Sequence, residues 1–313
     1  MKIYNFDIRQ KRGNNLTMDK KDILILIETN PDNDIFFNDW IDRGYKANVL
    51  FKKINKPLRA IRRLCLMNNL VGTKSWLNNW FNNLNEYKAI IIHMSYLTRY
   101  LPFYINKKYP DLKIICWYWN TIDDKTLPIK TEIKNIEYYS FDKNDCEKYG
   151  LKYNIQYYCE PKQLVKDNVD NDIYFVGRSK GREEKIESFK EYALKKNLKC
   201  KFVVINNSNE LLPYSSIKKE LIKTKAVLEI NKKNQVGFTL RALESLFYEI
   251  KLITDNKEIK RSPIYCKDNV FIIDEDDYDD LYDFINKPYN HISDKYKKDY
   301  DLDSWVNNFF INI

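Results

Sequence analysis

AVLEINKKNQVGFTLRALESLFYEIKLIT, residues 226–254, decides how this chain is read. Its ends, AVLEI (226–230) and EIKLIT (249–254), are short apolar runs with β-branched residues, as in buried strands. Between them, apolar residues recur at helical spacing from about Phe238 to Tyr248. A strand, a crossover helix and a second strand make a unit whose strands run parallel. Packing does not require the Gln, Gly, Thr, Arg and Glu gathered around the start of that helix.

The same alternation runs through the chain. DILILIE (22–28), NVLF (48–51), AIIIH (89–93), KIICWYW (113–119), IEYYS (136–140) and YNIQYY (153–158) read as strands. Helical spacing separates them over 34–42, 57–69, 75–84, the stretch from His93 to Tyr109, and KNDCEKYG. A polar stretch, CEPKQLVKDNVDND (159–172), then interrupts the rhythm and reads as a linker. Beyond it come strands 172–177, 200–205, 226–230, 250–254 and 269–273, with helices over 182–196, 214–223, 238–248 and 278–286. The expected fold is α/β, with two Rossmann-like domains facing a central cleft. Residues 1–160 form the first domain and 161–300 the second. An aromatic-rich helix over 301–313 is a candidate to cross back to the first.

Composition narrows the class. The 313 residues exceed one ordinary core, and 44% apolar content is ample for two. No apolar run is long enough to span a bilayer, and MKIYNFDIRQKRGNN lacks the apolar core of a secretion signal, so a cytoplasmic protein is expected. Six scattered cysteines and two histidines suit reduced thiols better than a zinc site or a disulfide frame. Residues 1–160 carry 26 Lys and Arg against 18 Asp and Glu, whereas 161–313 carry 27 against 26. A basic first half fits an anionic neighbour, a membrane surface or a nucleic acid; a Lys- and Asn-rich composition without a partner is the plain alternative.

Two loops at strand carboxyl ends suit phosphate. In VGRSKGRE (176–183), Gly177 permits a tight turn, and Arg178, Lys180 and Arg182 place cations beside a helix N-terminus, where amides and dipole favour anions. In the opening stretch, Gly237 allows close approach to the backbone, with Gln235 and Phe238 beside it. Thr239 can cap the helix or hold phosphate, and Arg241 and Glu244 share one helix face. A carboxylate such as Glu244 offers two oxygens to the hydroxyls of a ribose. Turns with solvated cations, or a capped helix with one ion pair, would leave the same pattern.

In order and spacing, VGRSKGRE, LLPYSSIKKELIKTKAVLEI, QVGFTLRALESLFYEIKLIT and IYCKDNVFII resemble the donor half of GT-B glycosyltransferases. The bacterial enzymes of capsular, exopolysaccharide and O-antigen assembly are the nearest in kind. SFDKNDCEKYGLKYNIQYY (140–158) looks like the end of their first domain. The resemblance implies a nucleotide-sugar donor, UDP-linked, and no metal or other cofactor. It implies that basic residues and a Gly loop hold the diphosphate, and that a Glu on the following helix, here Glu244, binds the ribose. Which of Arg178, Lys180 and Arg182 meets the diphosphate stays open, as does any partner carboxylate such as Glu249.

The resemblance assigns the acceptor, a glycan or lipid-linked oligosaccharide, to the first domain. An inverting enzyme needs a general base there, and Glu28 and His93 at strand ends are candidates, with Asp123, Asp32 and Asp34 behind them. Asp-x-Asp pairs at Asp32–Asp34 and Asp170–Asp172 are poorly placed for a metal against those loops. FKKINKPLRAIRRLCLMNNL (51–70) is a basic amphipathic helix that can pack on the sheet or lie on an anionic membrane at the inner face of the cell envelope. A catalytically silent scaffold of the same fold and a nucleic-acid-binding protein are the rival readings. The resemblance argues against nucleic acid, since the charge lies in one half and the phosphate-friendly loops in the other.

Overall fold

A computed structural model of the chain describes residues 18–28, 35–161, 168–206 and 212–311. The first sheet contains β1 (Ile23–Ile27), β2 (Lys46–Val49), β3 (Ala89–His93), β4 (Lys113–Tyr118), β5 (Ile136–Ser140) and β6 (Lys152–Tyr153). All pair in parallel, in the order β2-β1-β3-β4-β5-β6. The second holds β7 (Asn171–Arg178), β8 (Cys200–Ile205), β9 (Thr224–Glu229), β10 (Lys251–Thr254) and β11 (Val270–Ile272), parallel in the order β11-β10-β9-β7-β8. Two Rossmann-like domains result, as the sequence leads one to expect. Strands covered on both faces read as unbroken apolar runs, and ILILI of β1 is buried at every position.

Successive residues of each strand point to opposite faces, so three cores form. Leu24 and Leu26 of β1 join Ile90 and Ile92 of β3 on the outer face of the first sheet. Ala226 and Leu228 of β9 lie with Ile253 of β10 on the outer face of the second. The alternate residues, Ile25, Ile91, Trp117, Val227 and Leu252, belong to one continuous core that spans both domains.

Aromatic side chains bridge that central core. The last helix, α11 (Leu302–Asn308), lies against the first sheet. Its Trp305 stacks on Tyr157 at 4.1 Å and meets Trp117 edge-on at 5.5 Å. Asn154 Nδ2 donates to the Trp305 carbonyl at 3.0 Å, and Tyr45 OH donates to Asp303 at 2.8 Å. Arg43 pairs with Asp301 at the same junction. The C-terminal helix therefore does cross back to the first domain.

Three local expectations change. YNIQYY forms a strand only at Tyr153, because the Asn154 and Gln156 side chains take the amides of Ile155 and Tyr157 in place of a ladder. The expected helix over 75–84 divides into α3 (Thr73–Trp76) and a 3-10 segment (Asn79–Glu86), where the Asn78 side chain accepts from the Asn79 amide and restarts the chain. The stretch after His93 is helical only in α4 (Leu101–Lys108). Asp32, Asp34 and the middle of the linker lie outside the described residues.

Trp305 is fully buried against the first sheet. Trp305→Ala is expected to lower stability by about 3–5 kcal/mol. Denaturant unfolding followed by fluorescence and by circular dichroism should show both signals shifting together, since one core serves both domains.

Candidate anion-binding site

The basic turn after β7 comes first. Gly177 stays within the strand, with the Phe175 ring 3.4 Å from where its Cβ would be. The tight turn falls instead at Lys180 and Gly181, whose φ values are 48° and 78°. A lysine in the left-handed region is uncommon and marks a position held there by its surroundings. The Arg182 guanidinium bonds the backbone carbonyls of Ser179, Arg178 and Ile230, tying the turn to the end of β9. Arg182 thus shapes the turn, leaving Arg178 and Lys180 exposed.

A third cation, which sequence reasoning passes over, joins them from the loop after β9. The charge of Lys232 acts on Lys180 alongside those of Arg182 and Arg178. The Lys232 ammonium also donates to Thr121 Oγ1 of the first domain at 3.2 Å. Partial desolvation, then the charges of Lys232, Arg182 and Arg178, push Lys180 down to about 8. Among the described residues, no carboxylate forms an ion pair with Arg178, Lys180 or Lys232. Like charges gathered without an ion-pair partner are a standing repulsion that a bound anion would relieve. Thr121 also lines a cavity of about 380 Å³ between the domains, together with Asp145, Lys233 and Gln235.

The amides expected to cradle phosphate are already in use. At the start of α6 (Glu183–Lys195), the Glu183 carboxylate is held below the usual range by the Ser179 hydroxyl and by the amides of residues 183 and 181. In the second loop, one oxygen of Asp142 accepts from the Val236 and Gly237 amides, each at 2.8 Å. Asp142 belongs to the first domain, where its other oxygen caps α5 (Lys143–Tyr149) through the Asp145 amide. The glycine at 237 does admit a close approach, but by Phe141: a Cβ there would lie 2.6 Å from both the Phe141 ring and its carbonyl oxygen.

The helix after that loop, α8 (Leu240–Tyr248), is equally committed. Thr239 caps it by accepting from the Arg241 amide, and its hydroxyl donates to Glu229 at 2.5 Å. Glu229 also accepts from Thr254 at 2.6 Å, so one buried carboxylate joins the ends of β9, β10 and α8. Its burial raises its pKa against those donors. The Gln235 carbonyl accepts from Asn231 Nδ2 at 3.3 Å, and Phe238 lies 6.1 Å from the Tyr300 ring. Arg241 and Glu244 do pair on one face, as their spacing implies, but Glu244 is 0% exposed. Tyr214 OH donates to Glu244 at 2.7 Å and meets Tyr158 OH of the first domain at 2.6 Å. Glu249 sits at the opposite end of the helix, bonded to Lys297 and His291.

The base candidates stand apart from this group. The His93 ring stacks on Trp119 and meets Trp40 and Trp305 edge-on. Its Nε2 is buried without a partner among the described residues, and burial pushes its pKa down to about 3, too low to take a proton from a hydroxyl near neutrality. Glu28 is half-buried beyond β1, near Arg62. Asp123 folds into its own turn, accepting from the Lys125 and Thr126 amides, and Asp172 pairs with Lys225 while accepting from the Lys199 amide. Asp170 lies beside it at the amino end of β7 and pairs with Lys223. No three His, Cys, Asp or Glu side chains among the described residues converge as metal ligands would.

No protein-family model matches the chain, and no curated protein matches it. Among solved structures it is similar to Anabaena Alr3699/HepE in complex with UDP and glucose, at 10% identity and a TM-score of 0.47, over 84% of this chain and 88% of that one. Sucrose-phosphate synthase from Thermosynechococcus elongatus gives 11%, 0.47 and the same coverage. Acinetobacter baumannii MurG gives 7% and 0.37, over 92% and 98%. TM-scores of 0.47 and less carry no argument about what this chain does.

The seam at Gly237 has a direct test. Gly237→Ala should destabilise the protein by about 1–3 kcal/mol, because the Phe141 backbone must give way. Lys233→Ala, exposed in the same loop, should leave the unfolding midpoint unchanged.

Proposed function

We propose that the chain is a GT-B glycosyltransferase that takes a nucleotide-sugar donor, UDP-linked, and passes the sugar to a glycan or lipid-linked oligosaccharide acceptor. Surface-polysaccharide assembly on the cytoplasmic side of the membrane is the setting we assign to it. The observation that carries this reading is the cluster of Arg178, Lys180 and Lys232, none of them in an ion pair among the described residues, at the carboxyl ends of β7 and β9. Ligands of parallel sheets bind at that edge.

In such a transfer, negative charge grows on the departing diphosphate. Fixed cations facing it stabilise the transition state more than the ground state, which is what a catalyst requires. Three cations can balance the charge of a diphosphate, so we assign no metal and no other cofactor. Lys232 reaches Thr121 across the seam, so the charge on the donor would be felt by both domains. Glu244 and Arg241 lie behind the loop, closed off by Tyr214, and ribose contact through Glu244 would require that side chain to part from Tyr158.

One observation favours a second reading, a catalytically silent scaffold of the same fold. Asp142 and Glu183 already satisfy amides that a donor would use, so both loops are complete without a ligand.

Thermal unfolding with UDP, GDP, CMP and ADP separates these readings. UDP is expected to raise the midpoint, by the equivalent of about 2.7 kcal/mol at a hundredfold excess over Kd, with the shift kept in EDTA and lost in Lys232→Met. Donor turnover in Lys180→Met should fall about 100-fold or more. Binding without turnover in the unaltered chain supports the scaffold; no shift with any nucleotide removes the donor site.

A further inference from the structure

One surface of the first domain is built the wrong way round for a water-soluble helix. In α2 (Lys56–Met67) only Leu66 is buried. Leu58, Ile61 and Leu64, three residues apart and therefore on one side, are 40%, 50% and 61% exposed. The turn that follows continues the patch with Leu70 and with Val71, which is 97% exposed. Scattered exposed apolar residues are ordinary, whereas five within fourteen positions, three of them on one helical face, are not.

The polar residues of the helix occupy its other side. Arg62 donates to the Lys52 carbonyl and lies over the Phe51 ring, and Arg63 lies over Tyr96. The sequence permits the apolar face to pack on the sheet; the structure turns it outward instead. From Arg43 to Asn85 there is no Asp or Glu, while Lys46, Lys52, Lys53, Lys56, Arg59, Arg63 and Lys74 lie in that span. None of these seven forms an ion pair among the described residues.

We propose that α2 and the turn after it dock on an anionic lipid bilayer, with Leu58, Ile61, Leu64 and Val71 in the interface and the flanking cations on lipid head groups. An apolar strip about 9 Å long on the helix, continued by the turn after it and set among cations, matches the boundary between acyl chains and anionic head groups. Charge complementarity chooses this occupant over a second copy of the chain, which would bring the same uncompensated cations into contact. The apolar strip chooses it over nucleic acid, which offers phosphate but nothing to cover Leu and Ile. No helix among the described residues is long and apolar enough to cross a membrane, so this contact would lie along the surface. The surface borders Glu28 at the carboxyl edge of the first sheet, through Arg62. The inference stands on exposure and charge and does not depend on the donor site.

The test uses the full chain with sedimenting vesicles of phosphatidylcholine alone or mixed with phosphatidylglycerol. Binding is expected to the mixed vesicles, to weaken with salt, and to fall at least about tenfold in Ile61→Ser/Leu64→Ser. Both positions are exposed, so the variant should unfold at the midpoint of the unaltered chain; a variant that does not fold is replaced by Lys53→Glu/Lys74→Glu, exposed cations beside the patch, for which the same loss is expected. Equal binding by folded variants, no binding to mixed vesicles, or a dimer that Leu64→Ser dissolves in the absence of vesicle binding would each overturn the proposal. Salt-sensitive binding of an arbitrary oligonucleotide without vesicle binding would overturn it in favour of nucleic acid.

Discussion

A single carboxylate oxygen holds the seam on which this architecture depends. Asp142, at the end of the first sheet, receives two amides from the loop that follows β9 in the second. With Phe141 pressed against Gly237, that contact fixes how the two carboxyl edges face each other. Behind it, Tyr158, Tyr214, Glu244 and Arg241 form a chain of polar contacts from one domain to the other. Buried polar groups keep their partners because losing one leaves a desolvated group unpaired. The relation between the domains is thus set by specific bonds as well as by apolar area.

The same economy explains why positions chosen for ligand chemistry turn out to serve the protein. Thr239 caps a helix and binds Glu229; Arg182 binds three carbonyls; Asp142 stands on the amides of a Gly loop. Strand ends of a parallel sheet expose amides that must be satisfied with or without a ligand. What the fold leaves unsatisfied is charge. Arg178, Lys180 and Lys232 repel one another at the mouth of the seam, and the Lys180 turn keeps a backbone conformation that only its surroundings can impose. Repulsion retained where strand ends of both domains meet is the physical ground for a ligand there.

Much of the architecture is legible in sequence because strands buried on both faces are continuous apolar runs. AIIIH and CKFVVI become β3 and β8 without a shift of boundary. Spacing also announces that Arg241 and Glu244 meet, since a helix brings i and i+3 together. It cannot announce that Tyr214 and Tyr158 close over them, because those contacts join residues far apart in the chain. Lys232 escapes for the same reason: among many lysines, only the tertiary fold brings it to Lys180. Outward-facing α2 escapes because helical periodicity shows an apolar face without showing what it meets. YNIQYY misleads through two amide side chains that outcompete the ladder for backbone donors.

Calorimetric titration of the chain with UDP near pH 8, in buffers of different ionisation heat, tests the central claim that the unpaired cations receive a diphosphate. A bound diphosphate would return Lys180 from about 8 toward the ordinary lysine range, so binding must take up protons and weaken as pH rises above 8. The account predicts buffer-dependent heat with net proton uptake, absent in Lys180→Met. Binding with no proton linkage, or no binding of any nucleoside diphosphate, would contradict it.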